Sequence, residues 1–434
     1  MASTYINTAN MGTTNTYTIS FWFKRSGLGT TQRLFTPFEA TENDQEGIYF
    51  GSDDTLNMKK SGSGGVATSS AVFRDTSGWY HLCFQNDAGA AEYWINGVSQ
   101  GTTTGFPASA AGAGRFGNKV GGSEYFNGLM SHIHYCDGYA YDYTAFTTTD
   151  STTGELKINT SPSVTYGSRG FFILKDGNSV TDQSGNSNNA TASGTLTNTE
   201  DCPSDVFCTL NPLHISDASG NFYLSLGNLR QNVTNNDGQR ETGFTLHPKG
   251  LKGYFEVKCT VDPNFHLGLQ NVTSQLVKTN YYTLTLPNYY FLNSSNPVTI
   301  QYANGGSSAT YIADYFSQIS AGDIIGCAFD FTGTNKNVWF HKNGTYGNNG
   351  SGVGNPATGA YPAMTSTQLT KDEYEFIIAP NTGSGNGQYD FNFGNGYFGT
   401  TAITSEGTNA SNIGKFEYDV PTGFTALSTK GFNE

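Results

Sequence analysis

The sequence predicts an all-β chain folded as two antiparallel β-sandwiches in tandem. Three observations carry that expectation. Apolar residues recur in short alternating runs of strand length, and no long stretch keeps a 3.6-residue period. Glycine is abundant, at 54 residues, and with Asn, Ser and Thr it supplies turns rather than helices. The chain has 434 residues, more than one ordinary core takes and comfortable for two domains. Only 36% of it is hydrophobic, yet 30 Phe, 26 Tyr and 4 Trp provide ample core material. Each ring hides ~150–250 Å² when buried.

From Tyr17 the pattern is strand, turn, strand. "YTISFWFKRS" places Ile19, Phe21 and Phe23 on one face and Ser20, Trp22 and Lys24 on the other. "RLFTPF", "GIYFGS", "TLNMKK", "GWYHLCFQND" and "EYWINGVSQG" follow at short spacing, and "FNGLMSHIHYCDGYAY" comes after a Gly/Ala/Ser-rich loop. Asn96-Gly97 and Asn343-Gly344 each close a Trp-bearing strand, and Asn-Gly readily takes the positive φ of a tight hairpin. Both strands read as framework. The domain predicted over 1–197 ends in a polar tail, folded back through the strand in "GFFILKD" (Gly170 to Asp176). Residues 198–213 read as a linker, and 214–434 as the second sandwich. "IADYFSQIS" (Ile312 to Ser320) and "YTAFTTTD" (Tyr143 to Asp150) each have room for a helical turn or two.

Net charge is −13 with the basic residues scattered, which argues against a nucleic-acid partner. No apolar run approaches the ~18–20 residues of a membrane span, so no membrane insertion is expected. "MASTYINTANMG" has neither a basic n-region nor an apolar h-region, which predicts synthesis in a cytoplasm. Cys259 alternates in phase with Phe255 and Val257, and Cys327 with Ile325 and Phe329, as small core residues do. Cys202 and Cys208 are close enough in sequence to pair or to stay free.

Gly78-Trp79-Tyr80-His81-Leu82, then Tyr93-Trp94-Ile95-Asn96-Gly97, then Phe126-Asn127-Gly128-Leu129 together resemble the laminin-G/concanavalin-A-like lectin family, over roughly residues 1–195. The second half resembles a SPRY domain. Lys252 to Val257 ("KGYFEV") is similar to its early strand, and Gly322 to Asp330 with Trp339 to Gly344 to its central hairpin. Asn392-Phe393-Gly394 and Pro421-Thr422-Gly423-Phe424 are similar to its ending. These resemblances imply a jelly-roll or concanavalin-like sandwich followed by a SPRY-like binding sandwich.

The pairing, with the linking text and "TLNPL", also resembles virion proteins of tailed bacteriophages. That implies a tail-fibre, tip or capsid-fibre component located in the virion and assembled in the host bacterial cytoplasm. Implied partners are other virion proteins and a host-surface polysaccharide, in a homo-oligomer that is a trimer by analogy. The alternative is a capsid decoration or head-fibre protein. The first strand begins within the first twenty residues and no heptad pattern exists, which keeps that alternative close.

No enzymatic activity, catalytic residue, metal or cofactor is expected. "ENDQE" (Glu42 to Glu46) has the outline of a glucanase carboxylate motif. Residues i and i+4 of a regular strand lie roughly 13 Å apart, and retaining glycosidases need ~5–5.5 Å. Asn43 and Gln45 also offer no apolar anchor, so the run reads as a solvated loop. His132, His134 and Cys136 in "SHIHYC" are zinc-ligand types without a visible fourth. Asp53, Asp54 and Asp137 are loop acids that keep turns soluble or serve a Ca²⁺ ion. Binding surface is the stronger expectation. Tyr281, Tyr282, Tyr289 and Tyr290 lie in a Tyr/Asn/Ser-rich run, and Tyr139, Tyr141 and Tyr143 in "CDGYAYDYTAF". Such tyrosines offer rigid amphipathic contact to sugars or a neighbouring subunit.

Overall fold

The computed structural model describes residues 4–37, 47–59, 65–106, 108–109, 112–215, 222–234, 241–272, 289–294, 296–304, 307–380 and 386–433. The chain divides into two units, Met1–Ser204 and Asp205–Glu434. Each is an all-β, two-sheet antiparallel sandwich.

The first unit holds β1 (Tyr5–Asn10), β2 (Thr16–Arg25), β3 (Gln32–Thr36), β4 (Gly47–Phe50) and β5 (Thr55–Lys59). Next come β6 (Gly65–Val72), β7 (Tyr80–Asp87), β8 (Ala90–Ile95), β9 (Val98–Thr103), β10 (Ala113–Phe116) and β11 (Gly128–Asp137). The tail adds β12 (Thr147–Thr149), β13 (Leu156–Ile158), β14 (Phe171–Ile173) and β15 (Thr191–Ser193). One sheet runs β15-β1-β10-β3-β4-β5-β6 and the other β14-β11-β2-β7-β8-β9. The tail thus supplies one edge strand to each sheet, which is why so polar a stretch stays ordered. Phe21, Phe35 and Phe116 meet between the sheets, Phe21 edge-on to Phe116 at 5.5 Å. Every residue of β2 after Thr16 is buried, so its polar face is covered as fully as its apolar one.

The second unit holds β16 (Leu210–Ile215), β17 (Phe222–Ser225), β18 (Arg230–Val233), β19 (Thr242–Phe244), β20 (Lys252–Val261), β21 (Phe265–Asn271) and β22 (Tyr289–Asn293). It continues with β23 (Val298–Asn304), β24 (Ser307–Phe316), β25 (Ile324–Asp330), β26 (Asn337–Lys342), β27 (Thr345–Tyr346), β28 (Tyr374–Pro380) and β29 (Gly387–Asn392). The sheets run β16-β19-β28-β21-β22-β23-β24 and β17-β18-β29-β20-β25-β26-β27, and Thr425–Ala426 adds a parallel pair to β20. Phe244, Phe255, Phe376, Phe391 and Phe393 form the heart of the core, with Cys259 and Cys327 among the buried residues.

Both Asn-Gly turns are two-residue hairpins. Asn96 and Gly97 have φ of 48° and 78°, Asn343 and Gly344 of 49° and 83°. Ile95 pairs with Val98 across the first and Lys342 with Thr345 across the second. The expected helical turn over Tyr143–Ala145 is a short 3₁₀ turn, N-capped by Asp142. "IADYF" is instead the end of strand β24: Ile312 pairs with Ile300 and is buried against the core, which outweighs its helical spacing. The stretch expected as a linker contains the unit boundary. Asp201 is bound into the first unit, and Phe207, Cys208 and Leu210 are buried in the second. None of the six cysteines forms a disulfide, Cys202 and Cys208 included.

Candidate functional site

The outer face of the six-stranded sheet carries much of the chemistry the sequence displays, and it is sealed. Trp22, Ser20 and Thr18 of β2 lie opposite His81, Cys83 and Gln85 of β7, and opposite Ser131, His134 and Cys136 of β11. Residues 138–166 lie over part of this layer. Thr18 Oγ1 accepts the Tyr141 N–H at 2.7 Å and donates to the Tyr139 carbonyl at 3.0 Å. Lys24 and the Trp79 indole N–H both donate to Asp201, at 2.8 and 2.9 Å.

Under that cover His81 and His134 are packed and held neutral. His134 stacks on Phe172 with ring centroids 4.0 Å apart, and its Nδ1 lies 2.9 Å from the Tyr166 hydroxyl. Burial pushes His81 down to about 3 and holds His134 well below its usual range. His132 sits at a β-bulge with φ of 49°, so it leaves the alternation that would align it with His134 and Cys136. Among the described residues no three His, Cys, Asp or Glu side chains form a metal-ligand group.

Asp54 does not solubilise a turn. It is buried between two arginines, accepting from Arg25 Nη2, Arg74 Nε and the Gly29 N–H, each at 2.9 Å. Burial pushes its carboxyl up, but these bonds and the Arg25 charge outweigh that and hold it below its ordinary value. Asp53 is occupied by Thr55, and Asp137 accepts from Arg169 N–H and Ser168.

The tyrosines proposed as contacts divide. Tyr139 is exposed and stacks on Tyr141 at 6.1 Å, while Tyr141 holds the Thr165 N–H on its hydroxyl. Tyr143 packs near Trp94, as part of the cover. Tyr290 packs against the second core, stacked on Tyr302 at 4.5 Å. Tyr289 lies in β22 with its side chain outside the described residues, as are Tyr281, Tyr282 and the whole of "ENDQE".

In the second unit the strand that ends at Asn343-Gly344 serves a buried polar chain. The Gly344 N–H donates to His341 Nδ1 at 3.1 Å, so Nε2 carries the proton and donates to the Tyr254 hydroxyl at 2.6 Å. Tyr254 donates to Glu256 at 3.0 Å. The Glu256 carboxylate also accepts from Asn392 and from the backbone N–H groups of Glu417 and Tyr418. Burial pushes Glu256 up to about 7 against those donors. The chain pins the C-terminal segment, with Phe416, Val420 and Phe424, onto the sheet. Its role is framework.

In the first unit the outer side of the seven-stranded sheet is partly open among the described residues, although Arg33 and Thr36 of β3 are buried. Ile6 and Phe116 point into the core, so their strand neighbours Tyr5, Asn7 and Arg115 point out. Asn7 pairs with Arg115 and Thr191, and Arg115 with Thr36. The Arg115 guanidinium lies 5.0 Å over the Tyr5 ring, and Tyr5 and Tyr125 are 6.4 Å apart. Alongside, Arg33 lies 4.5 Å over Tyr49 and pairs with Glu124 at 2.9 Å. Asn57 and Thr68 extend that row. Tyr5, Asn7, Tyr49, Asn57, Arg115 and Tyr125 are all half-buried. Sequence reasoning passed over them. The signal was an Arg or Tyr at the outward position of several strands, visible only once the strand order brings those positions side by side.

Residues 2–139 match the family model described as the concanavalin A-like lectin/glucanases superfamily, of the laminin-G type. The N-terminal sandwich carries a concanavalin A-like lectin domain. No curated protein matches the chain. Among solved structures, a heptameric SAP-like pentraxin from Limulus polyphemus has 21% identity and a TM-score of 0.26, over 32% of this chain and 72% of that one. A Bacteroides ovatus protein named as a candidate carbohydrate-binding protein has 15% identity and a TM-score of 0.33, over 45% and 57%. A human SPRY domain has 16% identity and a TM-score of 0.28, over 40% and 96%. Likenesses at these scores add nothing to the sheet order, which carries the fold by itself.

Proposed function

We propose that this chain is a non-enzymatic binding protein whose lectin-type unit holds carbohydrate on the outer face of the seven-stranded sheet. The observation that carries the reading is the accessible array of Tyr5, Arg115, Tyr125, Tyr49 and Asn57, on a domain of lectin type. Tyrosine rings offer a flat apolar surface to sugar CH groups, and Asn and Arg supply the orienting hydrogen bonds. The setting we propose is the virion of a tailed bacteriophage, as a tail-fibre or tip component that meets host-surface glycan. What supports that setting is the resemblance of the tandem lectin-like and SPRY-like text, with its "TLNPL" junction, to such proteins. Single sugar contacts are weak, so the protein works as a homo-oligomer, where avidity raises binding by ~10²–10⁴.

The test is binding of the full-length protein to an array of bacterial capsular and lipopolysaccharide glycans. Saturable binding that Tyr5→Ala weakens and Tyr139→Ala leaves intact supports the reading. A folded, assembled sample that binds no glycan overturns it and makes both sandwiches virion architecture.

A further inference from the structure

Five cations of the first unit are neutralised where they stand. Lys24 pairs with Asp201, Arg25 and Arg74 with Asp54, Arg33 with Glu124, and Lys157 with Asp150. Among the described residues Arg115, like Arg169 and Lys175, meets no carboxylate, and its one side-chain hydrogen bond is a long one, from Nη1 to the Lys119 carbonyl at 3.5 Å. Lys119, four residues on, also has no ion-pair partner there. Two cations four residues apart, without counter-ions among the described residues, give this edge of a chain of net charge −13 a local positive charge.

The loop that carries Lys119 adds a second observation. Asn118 is fully buried, and neither its amide oxygen nor its amide nitrogen has a partner. Its carbonyl accepts from Thr36 Oγ1 at 3.1 Å, and Thr36 is the cross-strand neighbour of Arg115. A buried amide left unpaired costs roughly 1–3 kcal/mol, and native structures rarely keep one without a water or ligand to satisfy it. The same loop returns Tyr125 to the side of Tyr5. The β1–β10 edge therefore carries a guanidinium fork with free donors and two tyrosine rings, and the loop after β10 adds a lysine and a buried unsatisfied amide.

We infer that the ligand of this face is an anionic saccharide whose carboxylate is held by Arg115, with Lys119 adding charge and Tyr5 and Tyr125 contacting the sugar ring. The inference rests on the carbohydrate-binding reading above and adds the ligand's charge to it. A planar carboxylate matches the two parallel donors of a guanidinium, and that geometry distinguishes Arg115 from a lysine point charge. Glu124 does not oppose the ligand's charge, because Arg33 already neutralises it.

The experiment compares acidic bacterial polysaccharides with the same polymers after reduction of their carboxyl groups, and with sulfated dextran, against the full-length protein. Uronate-bearing polymers are expected to bind and to lose roughly tenfold or more on carboxyl reduction. Arg115→Gln should give the same loss and Arg115→Lys an intermediate one, with unchanged thermal unfolding showing that both variants are folded. Binding should weaken at about 1 M salt, where the screening length shrinks to ~3 Å. Equal binding of reduced and unreduced polymers, or no effect of Arg115→Gln, overturns the charge assignment and leaves the lectin reading standing. Preference for sulfated dextran overturns the carboxylate. Failure of every glycan overturns the reading beneath it.

Discussion

The two outer faces of the first sandwich have similar ingredients and opposite fates. Behind the six-stranded sheet, Trp22, His81, His134 and Cys136 are buried; Ser20 holds His81 Nε2 and Phe172 stacks on His134. On the seven-stranded sheet, Tyr5, Asn7 and Arg115 face outward half-buried, and Arg115 keeps donors to spare. What decides between framework and contact is therefore not residue type. It is whether another segment has already claimed the hydrogen bonds and the ring faces.

The hardest blow to this contrast falls on the most deeply claimed polar group. Asp54→Ala leaves the buried Arg25 guanidinium without its carboxylate, and breaking such a pair costs ~3–5 kcal/mol. Urea unfolding of the full-length protein should show that loss in the first unit's transition, followed by Trp22, Trp79 and Trp94. A loss below ~1 kcal/mol would mean the knot is not sealed.

His134→Ala against Tyr5→Ala sharpens the comparison directly. Removing a ring packed 4.0 Å from Phe172 should cost ~2–4 kcal/mol. Truncating the half-open Tyr5 should cost less than ~1 kcal/mol. Equal losses would erase the distinction between the faces. In the second unit, Tyr254→Phe removes the hydroxyl between His341 and Glu256 and should cost ~1–3 kcal/mol, read from the Trp339 transition.

The effects of pH differ in sign by site. His214 is pushed down by burial, but Glu375 at 3.3 Å and Glu241 at 3.8 Å outweigh that and raise it to about 9. A raised histidine stabilises fully below its unfolded value near ~6.5. That contribution is lost as pH climbs through about 9. Wild type should therefore exceed His214→Asn in urea midpoint at pH 6 and lose that margin by about pH 10. His81 is held neutral, with its value lowered to about 3, so the unfolded chain takes up the proton first. It destabilises the fold as pH falls below ~6.5. A His214 margin that grows with pH would contradict the ion pairing.

Much of the architecture was legible in sequence because alternation and Asn-Gly are local signals. Ile19, Phe21 and Phe23 entered the core as their spacing demanded, and both Asn-Gly turns closed hairpins. The site was far less legible. His134 and Cys136 looked like ligands because sequence does not show that residues 138–166 fold back over them. Tyr290 looked like a contact because its stack on Tyr302 needs a strand partner twelve residues away. Arg115 and Tyr5 lie 110 positions apart, and only the β1-β10 pairing makes them neighbours.

The most direct test of the account is hydrogen–deuterium exchange of the full-length protein with and without a bound acidic polysaccharide. New protection is expected in β1, β10 and the loop from Gly117 to Tyr125, with residues 138–166 unchanged. Protection confined to residues 138–166, around Tyr139 and Tyr141, would show that the covering segment is the binding surface and contradict the account.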